Sequence, residues 1–255
     1  MTSCHKDEDA KAVFTATIEY STKTSIDFDS DGKGVMSWQP YDQIALYVEN
    51  ESDFIMLTTS GEGATAVFEG GSEIEGDYYL AIYPASIARS SSTIHLTGIQ
   101  KYDGSRLDAP MYAYSTSKNL AFRNLCGVFK ITCSANNPII SIVLTADQPL
   151  AGDFELGFSD AAHTQPTMTL VNNGNASNTI VLSCNEAVDC SGANGGTFYM
   201  YLPYGSYTNM TLEVWDNNGN SCTKSLAAAT IARNTFYTVP LNITFEDPNA
   251  LPSAR

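Results

Sequence analysis

Val13-Phe14-Thr15-Ala16-Thr17-Ile18-Glu19-Tyr20 is the stretch that decides the fold class of this chain. Apolar and polar residues alternate along it, which is the two-residue period of a strand with one buried face. The face predicted to be buried carries Phe14, Ala16, Ile18 and Tyr20. The stretch therefore predicts a half-buried β-strand near the start of the chain.

The same alternation recurs along the rest of the chain, and Gly-rich or Asn-rich turns separate the segments. These segments are 43–49, 53–58, 64–68, 77–83, 93–99, 125–133, 139–144, 167–171, 179–183, 197–202, 210–215 and 235–245. Only 225–233 has a helical pattern. A single sandwich uses about seven to nine strands, so the pattern predicts an all-β chain of two tandem antiparallel β-sandwich domains.

A polar stretch at 115–119 marks the predicted boundary between the two domains. The prediction is a tether over residues 1–11, an N-terminal β-sandwich domain over 12–117 and a C-terminal β-sandwich domain over 118–255. Thirteen Lys and Arg residues against 28 Asp and Glu residues give a formal charge of -15. This charge repels a phosphate backbone and excludes nucleic acid as a partner.

Cys4 is the candidate lipidation site, because small polar residues precede it and the charged run 5–9 follows it. Acyl chains on such a thiol would enter a bilayer while the charged residues stay in water. The chain has no run of eighteen apolar residues, so the lipid would be its membrane attachment. The alternative is a disordered terminus with an irrelevant cysteine. No apolar signal segment precedes Cys4, so export is inferred and not read directly.

Five further cysteines raise the question of disulfides, and they are Cys126, Cys133, Cys184, Cys190 and Cys222. Cys126 and Cys133 fall on opposite faces of one predicted strand and are too far apart to bridge, so they are expected to be free thiols. A bridge between Cys184 and Cys190 stays open, since spacing alone does not fix connectivity. No Cys-x-x-Cys pair supports a zinc or redox site.

Catalytic and metal motifs are absent from the sequence. None of His5, His95 and His163 has a sequence neighbour that could serve as a nucleophile or an orienting acid. The acidic turn 27–32 resembles half a calcium loop, but its twelfth position is Trp38 instead of Glu. The expectation is a chain that is not an enzyme, with no metal site and no cofactor. A pair of carboxylates brought together from different strands stays open.

Tyrosines are abundant in both halves of the chain, and the candidates are Tyr78, Tyr79, Tyr83, Tyr112, Tyr114, Tyr199, Tyr201, Tyr204 and Tyr207. Tyrosines on alternating strand faces favour a role in covering the sandwich core, with hydroxyl groups at its edge. An exposed row that stacks on sugar rings is the alternative.

Several segments, in order, resemble the fimbrillin (Mfa-like) family, the pilin and adhesin subunits of type V fimbriae in the Bacteroides and Porphyromonas group. The matching segments are Cys4 with its acidic followers, 37–47 in the pattern Trp-x-x-x-Asp-x-Ile-x-Leu-Tyr, 78–84, 110–113 and 120–130. The resemblance spans essentially the whole chain. It implies two transthyretin-like domains in tandem, export as a lipoprotein, and assembly by strand exchange between subunits.

The resemblance also implies that an arginine-specific protease removes the first strand in members that polymerise. No Arg occurs before Arg89, so Lys23 is the candidate cleavage site just after that strand. Ten residues follow Phe245, and two are prolines, which is too short a tail for a pair of donor strands. These departures favour an end or accessory subunit over a bulk polymeriser.

The sequence therefore predicts a surface-anchored fimbrial (pilus) subunit or adhesin that acts by strand-exchange assembly and cell adhesion. Its partners would be other fimbrial subunits, the outer membrane through a lipid on Cys4, and a host protein or glycan. The location would be the cell surface, as an outer-membrane lipoprotein or part of a fimbrium. The hypothesis requires the segment 13–20 to be an edge strand that plugs an apolar groove.

Two alternatives remain. One is a glycan-binding outer-membrane surface lipoprotein with no fibre assembly. The other is a glycan-processing hydrolase, which needs two carboxylates about 5 to 9 Å apart in a cleft.

Overall fold

The structure is a computed structural model that describes residues 11–19, 27–28, 34–35, 37–49, 53–104, 107–172, 174–193 and 195–246. Within these ranges the chain forms 23 strands and one 3₁₀ helix, Ala85–Ile87, with no α-helix. The all-β fold class predicted from the sequence is therefore confirmed.

The first twelve strands run from the start of the described chain to residue 124. They are β1 Ala12–Ile18, β2 Asp27–Phe28, β3 Gly34–Val35, β4 Gln43–Val48, β5 Ile55–Thr59, β6 Thr65–Gly70, β7 Tyr79–Tyr83, β8 Ala88–Ser90, β9 Thr93–Leu96, β10 Ile99–Tyr102, β11 Met111–Ser115 and β12 Asn119–Asn124.

The remaining eleven strands are longer on average and complete the chain. They are β13 Cys126–Ala135, β14 Ile139–Ala146, β15 Gly152–Phe158, β16 Pro166–Leu170, β17 Thr179–Val188, β18 Gly196–Pro203, β19 Gly205–Tyr207, β20 Met210–Asp216, β21 Ser221–Leu226, β22 Ala229–Ile231 and β23 Phe236–Ile243.

The chain divides into two compact units, and each unit is built from separate stretches of sequence. Unit 1 takes its described residues from Met1–His95, Asp108–Cys126 and Asp153–Val171. Unit 2 takes them from Leu96–Leu107, Gly127–Gly152 and Asn172–Arg255. Two units agree in number with the two predicted domains, but the units interleave along the chain, whereas the predicted division is a single cut after residue 117.

Unit 1 is built around a closed barrel with the strand order β1-β12-β11-β7-β4-β5-β6, in which β6 pairs with β1 again. Strands β4 and β7 are buried on almost their whole length, on both faces, whereas β6 alternates between buried and exposed residues. A four-stranded sheet, in the order β16-β15-β9-β8, completes the unit. Closure removes free edges from the barrel strands.

Unit 2 has a five-stranded sheet, β10-β17-β14-β20-β21, and a three-stranded sheet, β18-β13-β23. Strands β14 and β20 run antiparallel, and β13 and β23 run parallel over eight residue pairs. Inward side chains of both sheets belong to one hydrophobic core, among them Phe129, Ile131, Leu144 and Leu182. Two sheets around one core form a sandwich, but the parallel pair of β13 and β23 departs from the antiparallel pairing that the sequence pattern predicted.

The predicted helix at 225–233 is wrong. Strand β21 occupies its start, and β22 pairs with β19, which places Ala229 opposite Tyr207 and Ile231 opposite Gly205. Three consecutive alanines, at 227–229, raise helix propensity locally, but Thr230 and Ile231 are β-branched. Burial of Ile231 in the core of unit 2 decides the outcome.

The described cysteines are all free thiols. The expectation for Cys126 and Cys133 is therefore confirmed, and both lie buried on β13. The open possibility of a bridge between Cys184 and Cys190 is not realised in the structure.

Candidate assembly site

The inward face of β1 forms part of the barrel core. Phe14 and Ala16 have no exposed surface, and Ile18 is 3 % exposed, whereas the outward Val13 is 45 % exposed. The structure thus buries three of the four residues that the sequence assigned to this face. The fourth, Tyr20, lies outside the described residues.

Strand β1 is paired along both of its sides. It runs antiparallel to β6, from Ala12 opposite Gly70 to Thr17 opposite Thr65, and parallel to β12, from Thr15 to Ile18. The prediction of an edge strand is therefore wrong: β1 lies inside the sheet and closes the barrel. Alternation in a sequence specifies which face of a strand is buried, but it contains no information on how many neighbours pair with the strand.

Trp38 ties the barrel core to the backbone of β1. Its indole Nε1 donates a hydrogen bond of 3.0 Å to the carbonyl oxygen of Ala16, and the side chain is completely buried. Three aromatic rings meet the indole edge to face, with centroids 4.9 to 5.2 Å away: Phe68, Tyr83 and Phe122. Such contacts stabilise beyond simple area burial. Loss of β1 would leave this indole N–H without its acceptor.

Asp42 is a buried carboxylate beside the same cluster. Its Oδ2 accepts a hydrogen bond of 2.8 Å from the backbone N–H of Gln39, and its Oδ1 lies 3.0 Å from the hydroxyl of Tyr83. That hydroxyl is also 3.1 Å from Asp108 Oδ1. The Trp-x-x-x-Asp pattern noted in the sequence therefore places an acid where it closes the turn that enters β4 and binds a core tyrosine.

Glu19 fixes the chain as it leaves β1. Its Oε1 accepts a hydrogen bond of 2.6 Å from the backbone N–H of Asn124, and its Oε2 lies 3.4 Å from Nη1 of Arg123. The Glu19 backbone N–H donates to the carbonyl of Phe122. The alternation in 13–20 places Glu19 on the face predicted to be exposed and does not reveal this anchor, since Arg123 and Asn124 are more than a hundred residues away in sequence.

Other predicted positions fall outside the described residues. These are the lipidation candidate Cys4, the cleavage candidate Lys23 and most of the acidic turn 27–32, of which only the backbone of β2 is described. Among the described residues no group of three or more His, Cys, Asp and Glu side chains is arranged to hold a metal ion. Within the same part of the chain, no helix has the length and apolar character needed to cross a membrane.

One histidine has an acidic partner that the sequence did not suggest. Nδ1 of His95 on β9 lies 2.7 Å from Oδ1 of Asp153 on β15, so tertiary structure supplies the acid that its sequence neighbours lack. The two residues lie on adjacent strands of the four-stranded sheet, where an opposite-charge pair or hydrogen bond stabilises strand pairing.

Most of the tyrosines belong to the core, as the sequence favoured. The buried ones are Tyr79, Tyr83, Tyr112, Tyr199, Tyr201 and Tyr207, whereas Tyr78, Tyr114 and Tyr204 are half-buried. Burial raises the pKa of Tyr199 to about 12. Within unit 1, Tyr114 stacks on His163 with ring centroids 3.7 Å apart. The tyrosines of unit 1 in this set pack against other aromatic rings instead of forming an open platform.

Tyr41 is the large aromatic side chain with the greatest exposure among the described residues, at 83 %. It lines a shallow cleft of about 540 Å³ on the outside of β5 and β6. Hydroxyl-bearing residues Thr58, Ser60 and Thr65 line the same cleft. An exposed ring beside several hydroxyl groups is suited to contact with a polar ligand that has one apolar face.

Two solved structures similar to this chain are described as candidate cell adhesion proteins. A candidate cell adhesion protein from Bacteroides uniformis is similar to the chain with a TM-score of 0.53 at 15% identity, over 94% of both chains. Another, from Bacteroides ovatus, has a TM-score of 0.51 at 15% identity, over 93% of this chain and 94% of that one.

The tip fimbrial protein Mfa3 from Porphyromonas gingivalis, with a C-terminal truncation, matches more distantly. Its TM-score is 0.38 at 10% identity, over 96% of both chains, and no argument rests on it. No protein-family model matches the chain, and no curated protein matches it. The likeness to the two Bacteroides proteins shows a shared fold, in agreement with the fimbrillin resemblance that the sequence motifs indicated.

Proposed function

We propose that the chain is a surface-anchored fimbrial subunit or adhesin in an end or accessory position. The observation that carries this proposal is the fold shared with two candidate cell adhesion proteins over 93% or more of each chain. The order of the fimbrillin-like segments in the sequence supports the same class. The proposed location is the cell surface, with a lipid on Cys4 holding the chain to the outer membrane.

Assembly with other fimbrial subunits is part of the proposal, but β1 is paired on both sides and is not the edge strand that strand exchange at this position requires. Because β1 pairs with both β6 and β12, a donor strand from a neighbouring subunit would have to replace two ladders of backbone hydrogen bonds. It would also have to fill the space of Phe14 and Ile18, whose burial stabilises by roughly 1.5–3 kcal/mol each. The free energy needed to displace β1 favours an end or accessory subunit, which exchanges strands rarely, over a bulk polymeriser.

The finer architecture is part of the same proposal. Two transthyretin-like domains agree in number with the two compact units, although the units interleave along the chain instead of following one another. Under this proposal the work of the chain is mechanical and adhesive, so it needs no cofactor and no catalytic residue.

A glycan-binding outer-membrane surface lipoprotein with no fibre assembly is the second candidate. The cleft beside Tyr41 favours it, because an exposed tyrosine can stack on a sugar ring while neighbouring hydroxyl groups bind the sugar hydroxyls. Trp38 is completely buried, so it is not available for such stacking.

Gene deletion in the source bacterium, followed by complementation, tests the proposal. Wild-type protein should restore surface labelling by antibody, fimbriae seen by electron microscopy and adherence to host cells. Cys4→Ser should remove the protein from the membrane fraction while leaving its fold unchanged. A deletion strain with normal fimbriae and normal adherence would refute the proposal.

The variant Tyr41→Ala distinguishes the fimbrial proposal from the glycan-binding candidate. Tyr41 is exposed and lies outside the barrel core, so this variant should fold normally and restore fimbriae. If adherence is lost with Tyr41→Ala while the deletion strain keeps its fimbriae, the glycan-binding candidate replaces the fimbrial one. Glu69→Gln, on the rim of the same cleft, is the matched control.

A further inference from the structure

Three cysteines lie together in the core of unit 2, although they are far apart in sequence. Cys133, Cys184 and Cys190 are each at most 5 % exposed and belong to the same hydrophobic cluster. Cys133 is on β13, and Cys190 follows the end of β17 by two residues. The backbone N–H of Ala135 donates to the carbonyl of Cys190 at 3.2 Å, which holds these two segments side by side.

Cys133 and Cys190 are neighbours in this core, because both are buried in the same cluster and a backbone hydrogen bond joins their segments. The thiol of Cys190 is 3.5 Å from the carbonyl oxygen of Val188. The interaction between the two side chains lowers the pKa of Cys190 and raises that of Cys133. For Cys184, burial raises the pKa to about 11.

Two glycines hold the segment after Cys190 against β13. A Cβ atom at Gly196 would lie well inside van der Waals contact with the sulfur of Cys190, and one at Gly195 would clash with the carbonyl of Cys133. Gly195 also has a φ of 58°, which L side chains rarely adopt. The chain therefore packs closely against the sulfur of Cys190 and against the backbone of Cys133.

We propose that Cys133 and Cys190 form a latent disulfide site, which an external disulfide oxidises to a covalent bond across the core of unit 2. A metal site is not the better reading, because no group of three or more ligating side chains suited to a metal ion occurs in the described residues. The proposal concerns chemistry in unit 2 and does not depend on the proposed function.

The reaction is a thiol–disulfide exchange in two steps. The Cys190 thiolate attacks one sulfur of the oxidant, forming a mixed disulfide and releasing one oxidant thiolate. Cys133 then attacks the Cys190 sulfur, which forms the Cys133–Cys190 bond and releases the second oxidant thiolate. The two protein thiols lose two protons and two electrons, and the oxidant disulfide gains them and leaves as two thiols. Burial of both sulfurs makes folding the stage at which the oxidant reaches them.

The bond would join positions separated by residues 134–189 and would thereby restrict the unfolded chain. A disulfide of this loop length should raise the Tm of unit 2 by about 10 °C. Reduction should reverse the shift.

Oxidative refolding of the full chain tests the proposal. The protein carries Cys4→Ser, so that a terminal thiol does not exchange, and it refolds in a mixture of oxidised and reduced glutathione. We expect a mass lower by two hydrogen atoms, peptide mapping that joins Cys133 to Cys190, and the higher Tm under non-reducing conditions. Cys184→Ser should keep the crosslink, and Cys133→Ser should lose it.

Mapping of the parent protein decides the outcome even if a cysteine variant fails to fold. A crosslink that joins Cys184 to Cys190, or Cys222 to any partner, would overturn the assignment. Recovery of a folded protein with all of its thiols still reactive toward iodoacetamide after denaturation would do the same.

Discussion

Single residues in this protein use buried polar atoms to fix turns, and Asp216 is the clearest case. It is 1 % exposed, and its two oxygens accept hydrogen bonds from the backbone N–H groups of Asn218 and Asn220 and from the side chains of Asn137 and Asn220, at 2.7 to 2.9 Å. Burial acts to raise the pKa of Asp216, but these hydrogen bonds outweigh it, so the pKa lies below its ordinary value. The carboxylate thus stabilises the turn between β20 and β21 in its charged form.

Asp216 should therefore contribute to the acid sensitivity of unit 2. A group with a depressed pKa in the folded state stabilises above its unfolded pKa, about 3.9, and this stability is lost as the pH falls through the folded pKa. At pH 7, Asp216→Asn should lower the free energy of unfolding by about 1–3 kcal/mol. The difference from wild type should shrink as the pH falls below about 4, because wild-type Asp216 then becomes protonated.

Urea unfolding followed by tryptophan fluorescence, to which Trp215 on the same strand as Asp216 contributes, measures this effect across pH. Glu186→Gln is the matched control, since Glu186 is an exposed acid on β17 in the same unit. An equal loss of stability for Asp216→Asn at pH 7 and pH 2.5 would show that its charge has no such role.

Strand β1 contributes to the closed barrel through its side chains, its backbone and one carbonyl group. Its inward side chains fill the core, its backbone pairs with β6 and β12, and its Ala16 carbonyl binds Trp38. Its outward residues, such as Val13, are partly exposed and contribute little to packing of the barrel core. The strand is thus an integral part of unit 1, and its release would open the barrel on two sides.

The two faces of β1 should differ sharply in their tolerance of substitution. Phe14→Ala should lower the free energy of unfolding by about 3–5 kcal/mol, because it removes a completely buried ring. Val13→Ala, its sequence neighbour on the exposed face, should change it by less than about 1 kcal/mol. Urea unfolding followed by tryptophan fluorescence, to which the buried Trp38 contributes, compares them, and similar losses for the two variants would contradict the orientation of the strand.

For the whole molecule, the main finding is that each compact unit is assembled from separate stretches of chain. Strand β12 supplies the parallel partner of β1 although it lies beyond the predicted boundary at residue 117. Strands β15 and β16 also belong to unit 1, whereas β10 belongs to unit 2 and pairs with β17. A cut through the middle of the sequence therefore divides both units.

A fragment of residues 1–117 should accordingly fail to fold on its own. It lacks β12, so β1 has one neighbour instead of two and the barrel is not closed. We expect the fragment to lack a cooperative urea transition and to exchange its amide hydrogens rapidly. The full chain should show a cooperative transition and slow exchange. A cooperative transition in the isolated fragment would favour the division at residue 117 over the interleaved units.

Part of the candidate site was predictable from local sequence. The alternation in 13–20 identified Phe14, Ala16 and Ile18 as buried, and the all-β class followed from repetition of that pattern. Side chains on a strand point alternately to its two faces, so the buried face is encoded within a few residues. The free thiols of Cys126 and Cys133 followed from the same period.

The rest depended on contacts between distant parts of the chain. Pairing of β1 with two strands, the bond from Trp38 to Ala16 and the packing of Cys133 near Cys190 bring together residues that are 22 to more than 100 positions apart. The predicted helix at 225–233 failed for the same reason, since Ile231 gains more by burial in the core than its alanine neighbours gain as a helix. The sequence by itself determined which strand faces are apolar. Only the tertiary structure decided which strands pair, because strand partners are selected by closure of the barrel and the sheets and not by neighbours along the chain.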